Sequence, residues 1–437
     1  MTLKIITAKD TELNWHDIML KSQVVSSLIN GKKQVFAVCC WSQKKIDYIY
    51  CYEAARLLNI PFIPLPASIE FGVLTSLINS LPFSVAVYKD GQIDVFTQSH
   101  DDSVSDWLAV AELCFFTSGS TGEKKLVFLS SENVNAAVLS IQERLDYCHE
   151  DRVVNFLPMA FDYGFYQYLL TKNADATLCL VDEGLSMASV SHIDSVQISV
   201  LPLVPSMVTA LLSMAGRRFN GSSVKKITST GESISSGLIT QVTDLFNNAK
   251  FYTMYGLTEC KRVSILLPEE APNIKESVGR AISCAKVVID NPDAQGVGEI
   301  IVSGKNVALG VLAFASSGEV SRIDFNGVLN TGDLGSIDND GFLYIAGRRD
   351  AQIKILGQRT NPIEIENAAL SVPGVKTCKA SADGLGCYLQ CIVEEQITPQ
   401  YIRQSLLKRL GTIASKITIS IVTHLDWTAN YKSKRPE

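Results

Sequence analysis

The chain has 437 residues, 46% of them hydrophobic and 19% charged, with a formal net charge of −6. That length predicts two or three domains, and that composition excludes a disordered chain. The acidic balance gives no electrostatic reason to expect a nucleic acid or an anionic membrane as partner, and eleven cysteines with no C-x-x-C pair point to a reducing compartment.

The first residues, "MTLKIITAKDTELNWHD", carry acids and no long apolar core, so they do not read as a signal peptide. Gln34–Trp41 reads as a strand, Lys44–Asn59 as a helix and Ile60–Ala67 as the next strand. This β-α-β order predicts largely parallel sheets covered by helices. Leu113–Phe116 is a further apolar strand, and it runs into six consecutive small residues, Thr117 to Gly122, followed by Glu-Lys-Lys. Glycines let backbone approach a ligand, and amides and hydroxyls offer donors to anionic oxygens. A Walker loop is nevertheless excluded, because Gly122 precedes Glu123, and Lys125 is followed by Leu126 rather than by a hydroxyl. Taken alone, such a cluster between a strand and a helix is most often a plain turn. Ser130 or Ser131 is a candidate N-cap for a helix over Glu132–Asp146.

The most apolar window, Ser195–Gly216, contains Pro202 and Pro205 and predicts a buried strand–turn–helix rather than a membrane span. After about Gly279 the texture changes to short strands separated by Asn/Asp/Gly turns, as in antiparallel β structure. A small α+β unit closes the chain, with one helix in "PIEIENAALSVPG" and another in "TPQYIRQSLLKRLG". The protein is expected to be cytoplasmic, with no membrane span.

Five stretches in order carry a resemblance: "FTSGSTGEKK", "YTMYGLTE" (252–259), "SVGRAI" with "GEIIVSGKNVALG", "NTGDLGSIDNDGFLYIAGRRDAQIKILGQRTNPIEIE" (330–366) and the tail "TANYKSKRPE". Together they resemble the adenylate-forming (AMP-binding) superfamily, which includes acyl-CoA synthetases, aryl-acid ligases and the adenylation domains of peptide synthetases. The likeness extends to "CYEAARLLNIPFIPLP" near the start, although the chain is shorter than is usual for the family. It implies an α/β fold: a large N-terminal domain (1–349) of α/β subdomains plus a β-rich subdomain, and a small mobile C-terminal α+β domain (350–437) hinged near Asp350.

The resemblance implies that a carboxylate attacks the α-phosphorus of ATP, and that a thiol then displaces AMP from the acyl adenylate. Thr117, Ser118, Gly119, Ser120, Thr121 and Gly122 would hold the β- and γ-phosphates, with Lys125 adding a cation. Thr258 would contact the α-phosphate and Glu259 would hold Mg²⁺, a hard cation that favours carboxylate. Asp333 would accept the ribose hydroxyls, Arg348 would bind ribose and phosphate, and Gly231 and Glu232 would lie beside the adenine. The tail "NYKSKR" resembles the family pattern around a catalytic lysine, which assigns Lys432, with Lys434 as the alternative. Gly357 would leave room for the pantetheine arm of coenzyme A or of a carrier protein. Lys124, Leu126 and Tyr431 depart from the residues usual at their positions.

The acid pocket falls on "LPMAFDYGFYQYLL". Tyr163-Gly164 fit the pattern of acyl- and aryl-CoA ligases, whereas Phe161-Asp162 fit that of amino-acid-activating relatives. Asp162 would then anchor a substrate ammonium, or would turn away to a backbone amide. Three functional readings stay open: a fatty- or aryl-acid–thiol ligase, favoured; an enzyme loading an amino acid onto a carrier protein; and a catalytically silent nucleotide- or acid-binding relative.

Overall fold

Short runs of β-branched, aromatic and cysteine side chains, buried on both faces, supply the parallel strands at the centre of two sheets. A computed structural model describes residues 3–7, 11–32, 34–98, 102–118, 124–215, 221–247, 249–271, 276–315, 317–351, 353–355, 358–383 and 386–425.

Among them, an eight-stranded sheet has a parallel heart in which Ala37–Cys40 lies between Phe62–Pro64 and Val85–Lys89. Ala111–Ser118 adds in parallel beside Phe62, and Lys124–Ser130 returns antiparallel against it. The strand at Leu113 therefore leads into a second, antiparallel strand before the helix, rather than directly into the helix. Leu126 sits on the returning strand, fully buried, in a position that faces the core. Ser130 does cap the following helix, Ser131–Leu145, in a reciprocal box with Asn133.

The second sheet, of nine strands, runs parallel through Arg152–Asn155, Val200–Leu203, Lys226–Ser229 and Lys250–Leu257, then turns antiparallel into Cys260–Leu266. The Ser195–Gly216 window is the predicted strand and helix, Val200–Leu203 and Pro205–Met214. No described helix is long and apolar enough to cross a membrane.

As expected from the change in texture, Ala285–Asp290, Gly298–Gly304, Val328–Ile337 and Leu343–Arg348 form an antiparallel four-stranded sheet. One piece of this region, Gly310–Phe314 with Val320–Asp324, instead extends the first sheet beside Lys124–Ser130. Beyond Asp350 a separate core packs Pro362–Leu370 and Pro399–Leu410 on the sheet Val375–Asp383, Gly386–Val393 and Ile417–Ile421. The helices are started by Asn361 and Thr398, each with proline at the first turn.

Candidate active site

Three parallel strands of the second sheet end on one side, and the segments that leave them converge there. Lys226–Ser229 leads to Thr230-Gly231-Glu232, Lys250–Leu257 leads to Thr258-Glu259, and Arg152–Asn155 leads to the helix that starts at Asp162. Crevices at the carboxyl ends of parallel strands are where open α/β sheets bind ligands. Here they bound a cleft of about 1390 Å³, closed by the hairpin at Thr117 and Lys125, by Asp333 and Arg348 of the β-rich sheet, and by Ile363 and Asn367 of the C-terminal unit.

At one end, Tyr255 donates its hydroxyl to Asp333 Oδ2 at 2.5 Å, and Arg348 Nη1 donates to Asp333 Oδ1 at 3.1 Å. Burial raises the Asp333 carboxyl above its usual range, and Tyr255 and Arg348 oppose that shift. Arg348 also forks onto Asp350, Nε to Oδ1 at 3.1 Å and Nη2 to Oδ2 at 3.2 Å. The glycine of "NTGD" has a reason: Gly332 takes φ +71°, and a Cβ there would lie 3.2 Å from Arg348 Nη2.

Glu259 faces the same space from the turn after Leu257. Burial raises its carboxyl above the usual range, with Lys125 and Arg348 pulling the other way. A half-buried carboxylate in that condition gains from a cation. The Thr117 hydroxyl is buried with no hydrogen-bond partner among the described residues, so a donor is held ready for a ligand. These residues fit a divalent ion shared with phosphate oxygens. No group of three or more metal-ligating side chains occurs among the described residues, which leaves most of such an ion's coordination to phosphate and water.

The other end is built from the helix Asp162–Asn173 and the strand Cys260–Leu266. Asp162 accepts the Tyr163 amide at 2.6 Å and Lys261 Nζ at 2.7 Å. Phe161 and Tyr163 pack edge to face, and the Tyr163 hydroxyl donates to the Thr228 carbonyl at 2.9 Å. Arg262, fully enclosed, donates to the Thr230 hydroxyl and lies 5.5 Å from the Tyr163 ring centre. Glu232 meets Lys379 of the C-terminal unit at 3.1 Å, so the expected adenine-side loop also touches that unit.

Thr117, Lys125, Phe161, Asp162, Gly231, Glu232, Thr258, Glu259, Asp333 and Arg348, chosen from sequence, thus line one cleft. Ser118 lies at the end of its strand, Tyr163 behind Phe161, and Asp350 beside the cleft on Arg348. Gly119, Ser120, Thr121, Gly122, Gly357, Lys432 and Lys434 lie outside the described residues. Tyr255, Lys261 and Arg262 were missed. Tyr255 stood inside a quoted motif, and adjacent cations on the apolar strand "CKRVSILL" were the signal for the other two.

The profile of the AMP-binding enzyme family matches residues 86–312, just over half of the chain. The chain belongs to that family. Among its relatives, a 2-succinylbenzoate–CoA ligase of Staphylococcus aureus (strain JH9) is 28% identical over 327 residues, covering 73% of this chain and 65% of the relative. Bacitracin synthase 1 of Bacillus licheniformis is 26% identical over 341 residues, 74% of this chain and 6% of that much longer protein. The match to the ligase thus spans a little under two thirds of its length.

Solved structures share this chain's fold nearly end to end. An O-succinylbenzoate coenzyme A synthetase (MenE) from Bacillus subtilis with AMP superposes with a TM-score of 0.78 at 21% identity, covering 99% of this chain and 94% of that one. ATP-bound MatB from Rhodopseudomonas palustris gives 0.81 at 18% identity over the same shares. The AMP-binding match runs from the first sheet through Lys124–Ser130 and the Thr258-Glu259 turn into Gly310–Phe314, so Thr117, Lys125, Asp162 and Glu259 all fall inside it.

Proposed function

We propose that this chain is an AMP-forming acid–thiol ligase that activates a carboxylic acid, a fatty or aryl acid being favoured, and passes the acyl group to coenzyme A or a carrier-protein phosphopantetheine. The observation that carries this reading is the convergence of Thr117, Lys125, Glu259, Asp333 and Arg348, from widely separated segments, on one cleft. Each has a task in the first half-reaction. Thr117 and Lys125 would donate to the outgoing β- and γ-phosphates, and Thr258 to the α-phosphate. Asp333 would take the ribose hydroxyls in place of part of its bonding to Tyr255 and Arg348, which turns Arg348 toward phosphate. Gly231 and Glu232 would flank the adenine. Bound at Glu259, magnesium would neutralise charge that grows between the phosphates as pyrophosphate leaves. Lys432 would bring an ammonium to the bridging oxygen, and Asp350 would be the pivot between residues 1–349 and 350–437 that opens the path past Gly357 for the thiol.

Asp162 argues for a plain acid over an amino acid. Its carboxylate already holds an ammonium, that of Lys261, so the pocket does not need one from the substrate. A silent relative would have no use for a half-buried Glu259 facing the cleft beside Lys125. Cytoplasmic residence follows from the expected substrates, ATP and coenzyme A. The test is pyrophosphate release with ATP, magnesium and a panel of fatty, aryl and amino acids. Release with fatty or aryl acids supports the reading. Release only with amino acids replaces it by carrier-protein loading, and release with none defeats it.

A further inference from the structure

We infer that the acid carries a second anionic group, and that Arg262 is the residue that receives it on the floor of the acyl end of the cleft. This rests on the ligase reading and narrows its substrate class to dicarboxylates and acids with a comparable distal oxyanion.

Arg262 is only 3% exposed and sits on Cys260–Leu266, a strand buried along its whole length, yet it lines the cleft. One guanidinium nitrogen donates to the Thr230 hydroxyl, and the Tyr163 ring covers one face. Nε is buried with no hydrogen-bond partner, and no ion pair is made by Arg262 among the described residues. The nearby carboxylate is engaged elsewhere: Asp162 Oδ1 takes the Tyr163 amide and Oδ2 takes Lys261. Of the cleft's other carboxylates, Glu259 feels Lys125 and Arg348, Asp333 holds Tyr255 and Arg348, and Glu232 meets Lys379. Two buried cations therefore share one buried carboxylate, and the surplus is the planar fork of an arginine, whose geometry suits a carboxylate.

A burial this costly has no structural return in a pocket for a plain fatty or aryl tail, where an apolar side chain would be the stable choice. The backbone is bent to present it. Arg262 takes φ +33°, a left-handed value in a strand, three residues after Glu259 and across from the register shift between Tyr255 and Leu257. Gly256 allows this, since a Cβ there would stand 3.0 Å from Arg262 Cα. The reactive carboxylate belongs at the Thr258-Glu259 end, so a group reaching Arg262 is the distal one.

The experiment compares pyrophosphate release for monocarboxylates and for dicarboxylates of matched length, straight-chain and aryl, in wild type and Arg262→Met. Wild type should favour dicarboxylates in kcat/KM by on the order of 10²-fold or more, because a site built to hydrogen-bond a group rejects the analogue that lacks it. Arg262→Met should remove that preference, mainly through KM, while monocarboxylate turnover holds or rises. Monocarboxylates equal to or better than dicarboxylates in wild type would overturn the inference. So would a variant that loses both acid classes alike, which would put Arg262 at the reacting centre. If Arg262→Met does not fold, Arg262→Lys keeps the charge without the fork, and an unchanged preference there counts against the subsite. Should no acid release pyrophosphate, the ligase reading fails instead. Calorimetry with the dicarboxylates then decides the subsite: binding lost in Arg262→Met supports it, and equal binding of both acid classes overturns it.

Discussion

At the proposed nucleotide end of the cleft Arg348 is shared between Asp333 and Asp350 and keeps about a third of its side chain in solvent, whereas at the proposed acyl end Lys261 and Arg262 are enclosed with Asp162 as their buried carboxylate. The first arrangement exchanges partners easily. Water and a second carboxylate stand ready whenever a ligand claims Arg348 or Asp333. The second is fixed before any ligand arrives, because removing a partner from a low-dielectric site strands a charge. On the proposed reading, binding the nucleotide and selecting the acid would be served by charges at different depths.

The sharpest way to break this contrast is to delete one carboxylate. Asp162→Ala should destabilise the protein by about 3–5 kcal/mol in urea unfolding, since Lys261 and Arg262 are left without a buried counter-charge. Adding Lys261→Met should recover most of that loss, and a cost below ~1 kcal/mol for Asp162→Ala alone would mean that the acyl end is solvated. Next in size, Lys432→Ala should reduce acyl-adenylate formation by on the order of 10²-fold while thiolysis of a supplied adenylate survives. Lys434→Ala as the crippled variant would reverse that assignment.

Glu259 gives a pH test with a definite sign. Its folded pKa is raised by burial above the usual 4.5, so the ligand-free protein binds its proton more tightly than the unfolded chain does. The stability this brings is present below about pH 4.5 and is lost as pH rises through the folded value. Without ligand, Glu259→Gln should therefore be more stable than wild type at neutral pH, with the difference vanishing in acid. With ATP the same variant should need more magnesium for turnover. Urea midpoints that track wild type at every pH, with an unchanged magnesium dependence, would remove Glu259 from the cation site. The smallest effect belongs to Tyr255→Phe. Asp333 keeps Arg348 and gains water, so stability should fall by no more than about 1 kcal/mol, in contrast to Asp162→Ala. A larger loss would show that the nucleotide end is as dry as the acyl end.

The layered α/β order, the switch to antiparallel strands after Gly279 and the closing α+β unit were legible because hydrophobic period and turn residues act locally. The residues that the resemblance assigns to the nucleotide do meet in one cleft. Phosphates, ribose and a metal are the same ligands throughout the family, and they demand the same residue types at nearly the same spacing, as in "YGLTE" and "NTGD". The hairpin return through Leu126 was less visible, because its strand pairs with Gly310–Phe314, nearly two hundred residues further on.

The acyl end was decided only by tertiary structure. Asp162 and Lys261 are 99 positions apart, and nothing local links them. The sequence left Asp162 free to face an ammonium or an amide, and packing gave it both, with the ammonium coming from the protein itself. Arg262 reads in sequence as one more charge on a strand. Its burial, its unpartnered Nε and its position beside an already committed carboxylate exist only once helix and strand are brought together, because desolvation belongs to the folded surroundings and not to the residue.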